Sequence, residues 1–401
     1  MKGNNTAYIP AVDHLRALAA IWIVPYHGLY LVGQRISPPG TVQTAHTSGL
    51  NNPLYSLWAE GHTAVALFMT LSGFIFTVGT YGLDIQYWQF IRNRVLRIYP
   101  LFLVLLFCSE LTRLDKLDWP RLATTILPLS DLSLNGDSPF GLGWAVAVEF
   151  QFYLIFPLLL RLFNVSVIRT VLCTIAGALA ARVMLVYAGL EPRDLSYFHL
   201  VGRIDQFVLG MAGAVTWRWL RQNNIRLPLH FPISLVSIVL LIWCFHDVGG
   251  GFDSSANWKL LWPTAEGLAW ATFIVGYLAI AHRTPQLISS LLCFIGEMSF
   301  SIYLIHSTMF AVVSAMGGVL QPTGRWDLDA LATTMGYVLP ATLALSAVTY
   351  RVIEKPFLRL RRPYLVQDNA APPNPPPPAP PRAQPSAPAL VAARPGTNPG
   401  L

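Results

Sequence analysis

Residues 144–188 read WAVAVEFQFYLIFPLLLRLFNVSVIRTVLCTIAGALAARVMLVYA. The stretch holds two apolar runs, 144–163 and 167–188, with a polar break at Asn164. A helix needs about 20 mostly apolar residues to cross the hydrocarbon of a bilayer, and each run meets that length. The break leaves room only for a tight turn, so the two runs read as consecutive spans. Outward from this pair the pattern recurs at 12–32, 62–80, 95–112, 204–220, 231–247, 261–281, 291–317 and 329–350. The sequence therefore predicts an all-α, polytopic transmembrane helical bundle of about ten spans. The run 291–317 is long enough to tilt or to begin as a surface helix.

Composition excludes a soluble globular chain. Only 12% of the 401 residues are charged and 54% are apolar, whereas soluble domains carry about 25% charged residues. The formal net charge of +7 does not point to nucleic acid, because the basic residues stand in short clusters between apolar runs. Such clusters report topology. With the N-terminus inside, the inner loops hold Arg92, Arg94 and Arg97, then Arg161 and Arg169, then Arg218, Arg221 and Arg226, then Arg283. Arg351, Lys355, Arg359, Arg361 and Arg362 follow the last span, while Asp115, Asp118, Asp131, Asp137, Glu191, Asp194, Asp247 and Asp253 fall outside. Both termini are thus expected on the cytoplasmic side. Cys108, Cys173, Cys244 and Cys293 each lie in an apolar run, with no close Cys-x-x-Cys pair, and read as small buried hydrophobes. Val12 to Val32 reads as a retained first span, since no small-residue cleavage motif follows it.

The membrane domain is expected to occupy 1–363 and a disordered Pro/Ala-rich cytoplasmic tail 364–401, whose stretch NPPPPAPPRAQPSAPALVAARPGTNPG lacks the large apolar residues a core requires.

Ionisable residues inside spans are costly and face the bundle interior, so they are the best guide to a site. His27 lies in the outer half of the first span, after Pro25 and before Gly28. It is a candidate proton acceptor, or a membrane-edge histidine bonded to a neighbouring helix. Glu149, near the outer start of the run 144–163, could orient the His27 imidazole or make a helix–helix hydrogen bond. Arg203 and Asp205 open the run 204–220 and could bind a polar acceptor or pair with each other. Ser299, Tyr303 and His306 fall near one helical face and make a polar stripe that lines a cavity or joins helices. Arg94 and Arg97 share a face at the inner start of the run 95–112. They suit an anionic donor, aided by a helix N-terminus, or they are plain topological charge. Glu60, His62 and His14 are merely suggestive, and no spacing supports a metal site from His27, His62 and His306.

Seven segments, in order, resemble the acyltransferase-3 family of membrane acyltransferases, which includes bacterial sugar O-acetylases. They are DHLRALAAIWIVPYH (13–27), GHTAVALFMTLSGFIF (61–76), FIRNRVLRIYP (90–100), GWAVAVEFQFYLIFP (143–157), RIDQFVLG (203–210), GEMSFSIYLIH (296–306) and VIEKP (352–356). The resemblance maps the family's essential histidine to His27, its Arg-x-x-Arg pair to Arg94 and Arg97, and its glutamate to Glu149. Arg203, Asp205 and His306 also fall in family-like motifs. Ala147, His62 and Glu297 depart from the usual residues and blur the substrate. The fused esterase-like domain of some members is not expected. The resemblance implies a multi-pass enzyme of the bacterial inner membrane with acyl-CoA, acetyl-CoA foremost, as co-substrate and a carbohydrate or glycoconjugate as acceptor. His27 and Glu149 would be catalytic, Arg94 and Arg97 would bind the donor, and Arg203, Asp205, His306 and Tyr303 would bind the acceptor or the oxyanion. An amine acceptor fits the same residues. The rival class is a proton-coupled transporter of a small solute, which an inverted repeat of broken helices would favour and the sequence does not display.

Overall fold

The computed structural model describes residues 8–38, 41, 52–111, 118–129 and 143–366. Of the expected tail 364–401, residues 364–366 are described and 367–401 lie outside the described residues, as do the loop residues Asp115, Asp131 and Asp137. The fold is all-α. Its long helices are α1 (Pro10–Leu31), α2 (Thr63–Thr80), α3 (Tyr87–Leu111), α4 (Gly143–Val165), α5 (Val167–Tyr187) and α6 (Leu200–Gln222). They continue with α7 (His230–Asp247), α8 (Trp262–Ile280), α9 (Gln286–Glu297), α10 (Ser299–Ala315) and α11 (Trp326–Arg359).

Helices stand in all ten apolar intervals, yet among the described residues seven are long and apolar enough to cross a membrane, or eight if α9 and α10 are one span. The interval 291–317 is broken at Met298, where α9 and α10 meet at 68°. The helices α3 and α6 fall short by composition, because α3 carries Arg92, Arg94 and Arg97 and α6 carries Arg203, Asp205, Arg218 and Arg221. Two further expectations are corrected. Helix α3 begins at Tyr87, so Arg94 and Arg97 lie well inside it and gain nothing from a helix N-terminus. The polar stretch YWQFIRNR continues the helix because it contains no breaker and its Phe90, Ile91 and Asn93 are buried. The four cysteines are unpaired, but Cys108, Cys173 and Cys244 are exposed on the outside of the bundle. Apolar side chains of a membrane helix face outward as readily as inward, because lipid accepts them.

Turn chemistry joins α4 to α5. Ser166 caps α5 by accepting from the Arg169 amide, and the Asn164 side chain accepts from the Gly82 amide at 2.9 Å. At the centre α2 packs on α6 through glycine. A Cβ on Gly73 would stand 2.0 Å from the Phe207 carbonyl oxygen, and one on Gly210 would stand 2.0 Å from that of Thr70. Small residues let membrane helices approach to backbone contact where no hydrophobic force draws them together. Gly73→Ala or Gly210→Ala is therefore expected to force the helices apart and cost about 1–3 kcal/mol. The check is the melting midpoint in detergent, with Gly177→Ala as the control, since a Cβ there meets nothing within 4 Å.

Candidate active site

Helix α1 carries His27 two residues past Pro25, on a turn that packs closely against α11. A Cβ on Gly28 would lie 2.0 Å from the Thr334 Oγ1, so only glycine permits the approach. Thr334 opens a π-helical segment of α11. Helix α10 brings His306 to the same level, where its Nε2 lies 2.9 Å from the His27 Nδ1. The His306 Nδ1 lies 3.1 Å from the Ile302 carbonyl oxygen, one helical turn back. A carbonyl only accepts, so His306 carries its proton on Nδ1 and presents a lone pair at Nε2. That lone pair accepts the His27 Nδ1–H, and the chain of bonds leaves the lone pair of His27 on Nε2. The two histidines, 279 positions apart in sequence, thus form an oriented pair in which the His27 Nε2 lone pair can accept a proton.

Glu149 has different neighbours. Its carboxylate accepts from the Ser72 hydroxyl at 3.0 Å and from the Tyr153 hydroxyl one turn along α4. Tyr153 also forms, with Phe76 and Phe90, an aromatic box around the Arg94 guanidinium, whose carbon stands 4.7 Å from the Phe76 centroid. Arg94 Nε has no hydrogen-bond partner among the described residues. Arg97, half-buried, is held instead by an ion pair of 3.0 Å with the buried Glu354, in the VIEKP segment. Glu354 in turn accepts from the Ser301 hydroxyl.

Several of these groups border a cavity of about 510 Å³. Arg94, Arg97, Glu149 and Tyr303 line it, together with Arg16 and Arg361. His27, His306, Arg203 and Asp205 are not among its lining residues. Tyr303 is the link, since it faces the cavity and its ring lies 5.9 Å from that of His306. The Tyr303 hydroxyl is buried with no protein partner among the described residues.

Arg203 and Asp205 do not pair with each other. Asp205 is fully buried and accepts from the Arg182 Nη2 at 2.7 Å and from the Thr264 hydroxyl. Arg182 also donates to the carbonyls of Val201 and Leu260, at 2.9 and 2.7 Å. Arg203 donates to the Tyr197 carbonyl at 2.8 Å, stacks over the Tyr197 ring at 4.2 Å and lies 3.5 Å from Glu266. Its Nη2 is buried without a partner among the described residues. Glu266 is further bound by Thr63 and Gln206. Beside this network Glu60 bridges His62 at 2.9 Å and His246 at 2.7 Å.

Arg182, Glu266, Tyr153 and the role of Glu354 escape a reading of the sequence. Arg182 and Glu266 were open to it, because each is a lone charge in an apolar run. Tyr153 was not, since nothing in FQFYLIF sets it apart from its aromatic neighbours.

The described residues thus form an all-α membrane bundle with an arginine-rich cavity and, beside it, a pair of bonded histidines, His27 half-buried and His306 buried. The acyltransferase domain family (Acyl_transf_3) matches residues 9–351, and the chain belongs to it. It is similar to acyltransferase MdmB of Streptomyces mycarofaciens, with 26% identity over 88% of this chain and 94% of that one. It is also similar to nodulation protein 10 of Rhizobium leguminosarum bv. viciae, with 23% identity over 78% of this chain and 87% of that one. A third relative, the putative peptidoglycan O-acetyltransferase YrhL of Bacillus subtilis, is 23% identical over 88% of this chain but only 56% of its own length. No solved structure matches the chain. The protein is a membrane-embedded acyltransferase, and its apolar helices and bacterial relatives make it an integral, multi-pass protein of the inner membrane.

Proposed function

We propose that the enzyme takes an acyl group, acetyl foremost, from acyl-CoA on the cytoplasmic side and passes it to a hydroxyl of an extracytoplasmic carbohydrate or glycoconjugate. In this reading ten spans return both termini to the cytoplasm. The observation that carries it is the cavity that joins Arg94 and Arg97 to Glu149 and Tyr303, beside the His27–His306 pair. Guanidiniums at one mouth suit the phosphates of CoA. The pantetheine arm would run inward along the cavity and bring the thioester towards the histidines.

His27 Nε2 takes the proton of the acceptor hydroxyl as its oxygen attacks the thioester carbon. Collapse of the tetrahedral intermediate breaks the C–S bond, and the proton passes from His27 to the departing CoA sulfur. His306 holds the His27 ring through the Nδ1–H bond. The unpartnered Tyr303 hydroxyl and Arg203 Nη2 are donors available to the oxyanion or the acceptor. Asp205 enters through Arg182, which it anchors beside α6. Glu149, bound to Ser72 and Tyr153 beside the Arg94 box, takes up positive charge there.

The test is transfer of label from radiolabelled acetyl-CoA and succinyl-CoA to a panel of glycans by the protein in nanodiscs. Arg94→Ala is expected to raise the KM for the donor by about 10-fold or more, the worth of a charge-assisted hydrogen bond. A folded protein that neither binds CoA nor transfers label would overturn the reading and favour a transporter.

A further inference from the structure

The chain leaves α11 at Arg359 and does not run straight out of the bundle. Residues 360–366 are laid as a strap over the entry to α3. The Gln86 amide donates to the Tyr364 carbonyl at 2.8 Å, and the Val366 amide donates to the Asp84 carbonyl at 2.9 Å. Ile85 and Leu365 pair as an isolated antiparallel bridge. The Asn93 side chain donates to the Arg362 carbonyl at 2.7 Å and accepts from the Arg362 amide at 3.2 Å. Tyr364 is buried, its ring 5.3 Å from that of Phe90, a wall of the Arg94 box.

The strap carries guanidiniums to the cavity mouth. Arg16, Arg94, Arg97, Arg359, Arg361 and Arg362 all line it, against the carboxylates of Asp13, Glu149 and Glu297. Arg16 is paired with Asp13 and Arg97 with Glu354. Arg361 makes no ion pair among the described residues and only donates to the Leu358 carbonyl at 3.3 Å. A charge that merely sets topology would stay in water. Arg361 is half-buried instead, and burial together with Arg94, Arg97 and Arg16 pulls its pKa down to about 9. Like charges gathered out of water are unfavourable unless an anion of several charges joins them.

We propose that the strap 360–366 forms the wall of the donor site that grips the phosphorylated nucleotide end of acyl-CoA, with Arg361 as its phosphate ligand alongside Arg94. This rests on the proposed use of acyl-CoA. The cytoplasmic segment after the last span is then part of the binding site, and Arg361 reads the part of the donor that a bare thioester lacks.

The experiment compares two donors, acetyl-CoA and acetyl-pantetheine, which carries the same thioester without phosphates or nucleotide. With wild-type protein in nanodiscs, adenosine 3′,5′-bisphosphate is expected to compete with acetyl-CoA. Arg361→Ala is expected to raise the KM for acetyl-CoA tenfold or more, to leave kcat within twofold, and to weaken inhibition by the bisphosphate in parallel. Its KM for acetyl-pantetheine is expected to match wild type. Arg361→Lys is expected to recover part of the loss. An equal loss with both donors, at an unchanged melting midpoint, would make Arg361 a structural residue and overturn the inference. So would unchanged kinetics with acetyl-CoA. Neither result touches the proposed function, which falls only if wild type neither transfers from acetyl-CoA nor binds the bisphosphate.

Discussion

His27→Ala is expected to lose acyl transfer by about 10³-fold or more while the protein still folds and still binds acyl-CoA. The geometry separates these properties. Arg94, Arg97 and Arg361 line the cavity proposed for the donor, whereas His27 does not, so donor affinity has no reason to change. The His27 ring is half-buried and bonds the side chain of His306 at 2.9 Å. Its loss opens a small void beside Tyr26 and removes the lone pair at Nε2. His306→Ala is expected to be milder, because it removes the acceptor that orients His27 but leaves the base. His306→Gln, which can still accept a hydrogen bond, should recover part of that loss. The measurement is single-turnover transfer of labelled acetyl groups, with CoA binding followed in parallel. Full transfer by the His27→Ala protein would remove it from the chemistry.

Asp205→Ala is expected to produce the largest loss of stability, about 3–5 kcal/mol, because it leaves the Arg182 guanidinium charged and uncompensated inside the bundle. Arg182 and Asp205 are both fully buried and lie 2.7 Å apart. The other Arg182 nitrogens bond the carbonyls of Val201 and Leu260, so the arginine ties the start of α6 to the segment before α8. The pair therefore fixes three elements. Replacing both partners, with Asp205→Ala and Arg182→Met together, should cost less than Asp205→Ala alone, since no buried charge remains. Thermal melts in detergent and the yield of monodisperse protein read this directly. If Asp205 instead contacts the acceptor, the single variant would melt like wild type and fail in transfer.

The candidate residues were legible in the sequence because a membrane makes polar residues conspicuous. His27, Glu149 and His306 each interrupt an apolar run, and lipid tolerates such interruptions only where a partner or a cavity exists. Their partners were less legible. Glu149 stands two helices from Ser72 and one turn from Tyr153, and only the second relation follows from spacing. The break at Met298 left no mark in the run 291–317, since Gly296 is tolerated in membrane helices and need not end one. That glycine lies where a Cβ would meet the Asp13 carbonyl oxygen at 2.1 Å, so the close approach of α1 is what it serves.

By itself the sequence determined the class of fold, the family resemblance and the charge pattern of the loops. Each depends on local quantities: run length against bilayer thickness, the order of short motifs, and the cost of a charge in hydrocarbon. The tertiary structure alone decided which charges meet. It joined His27 to His306, Arg97 to Glu354 and Arg182 to Asp205, and it turned Arg361 from a topological charge into part of a cavity wall. Those pairings depend on how helices far apart in the chain pack, and close packing is set by where glycine and threonine let backbones touch, which no single segment encodes.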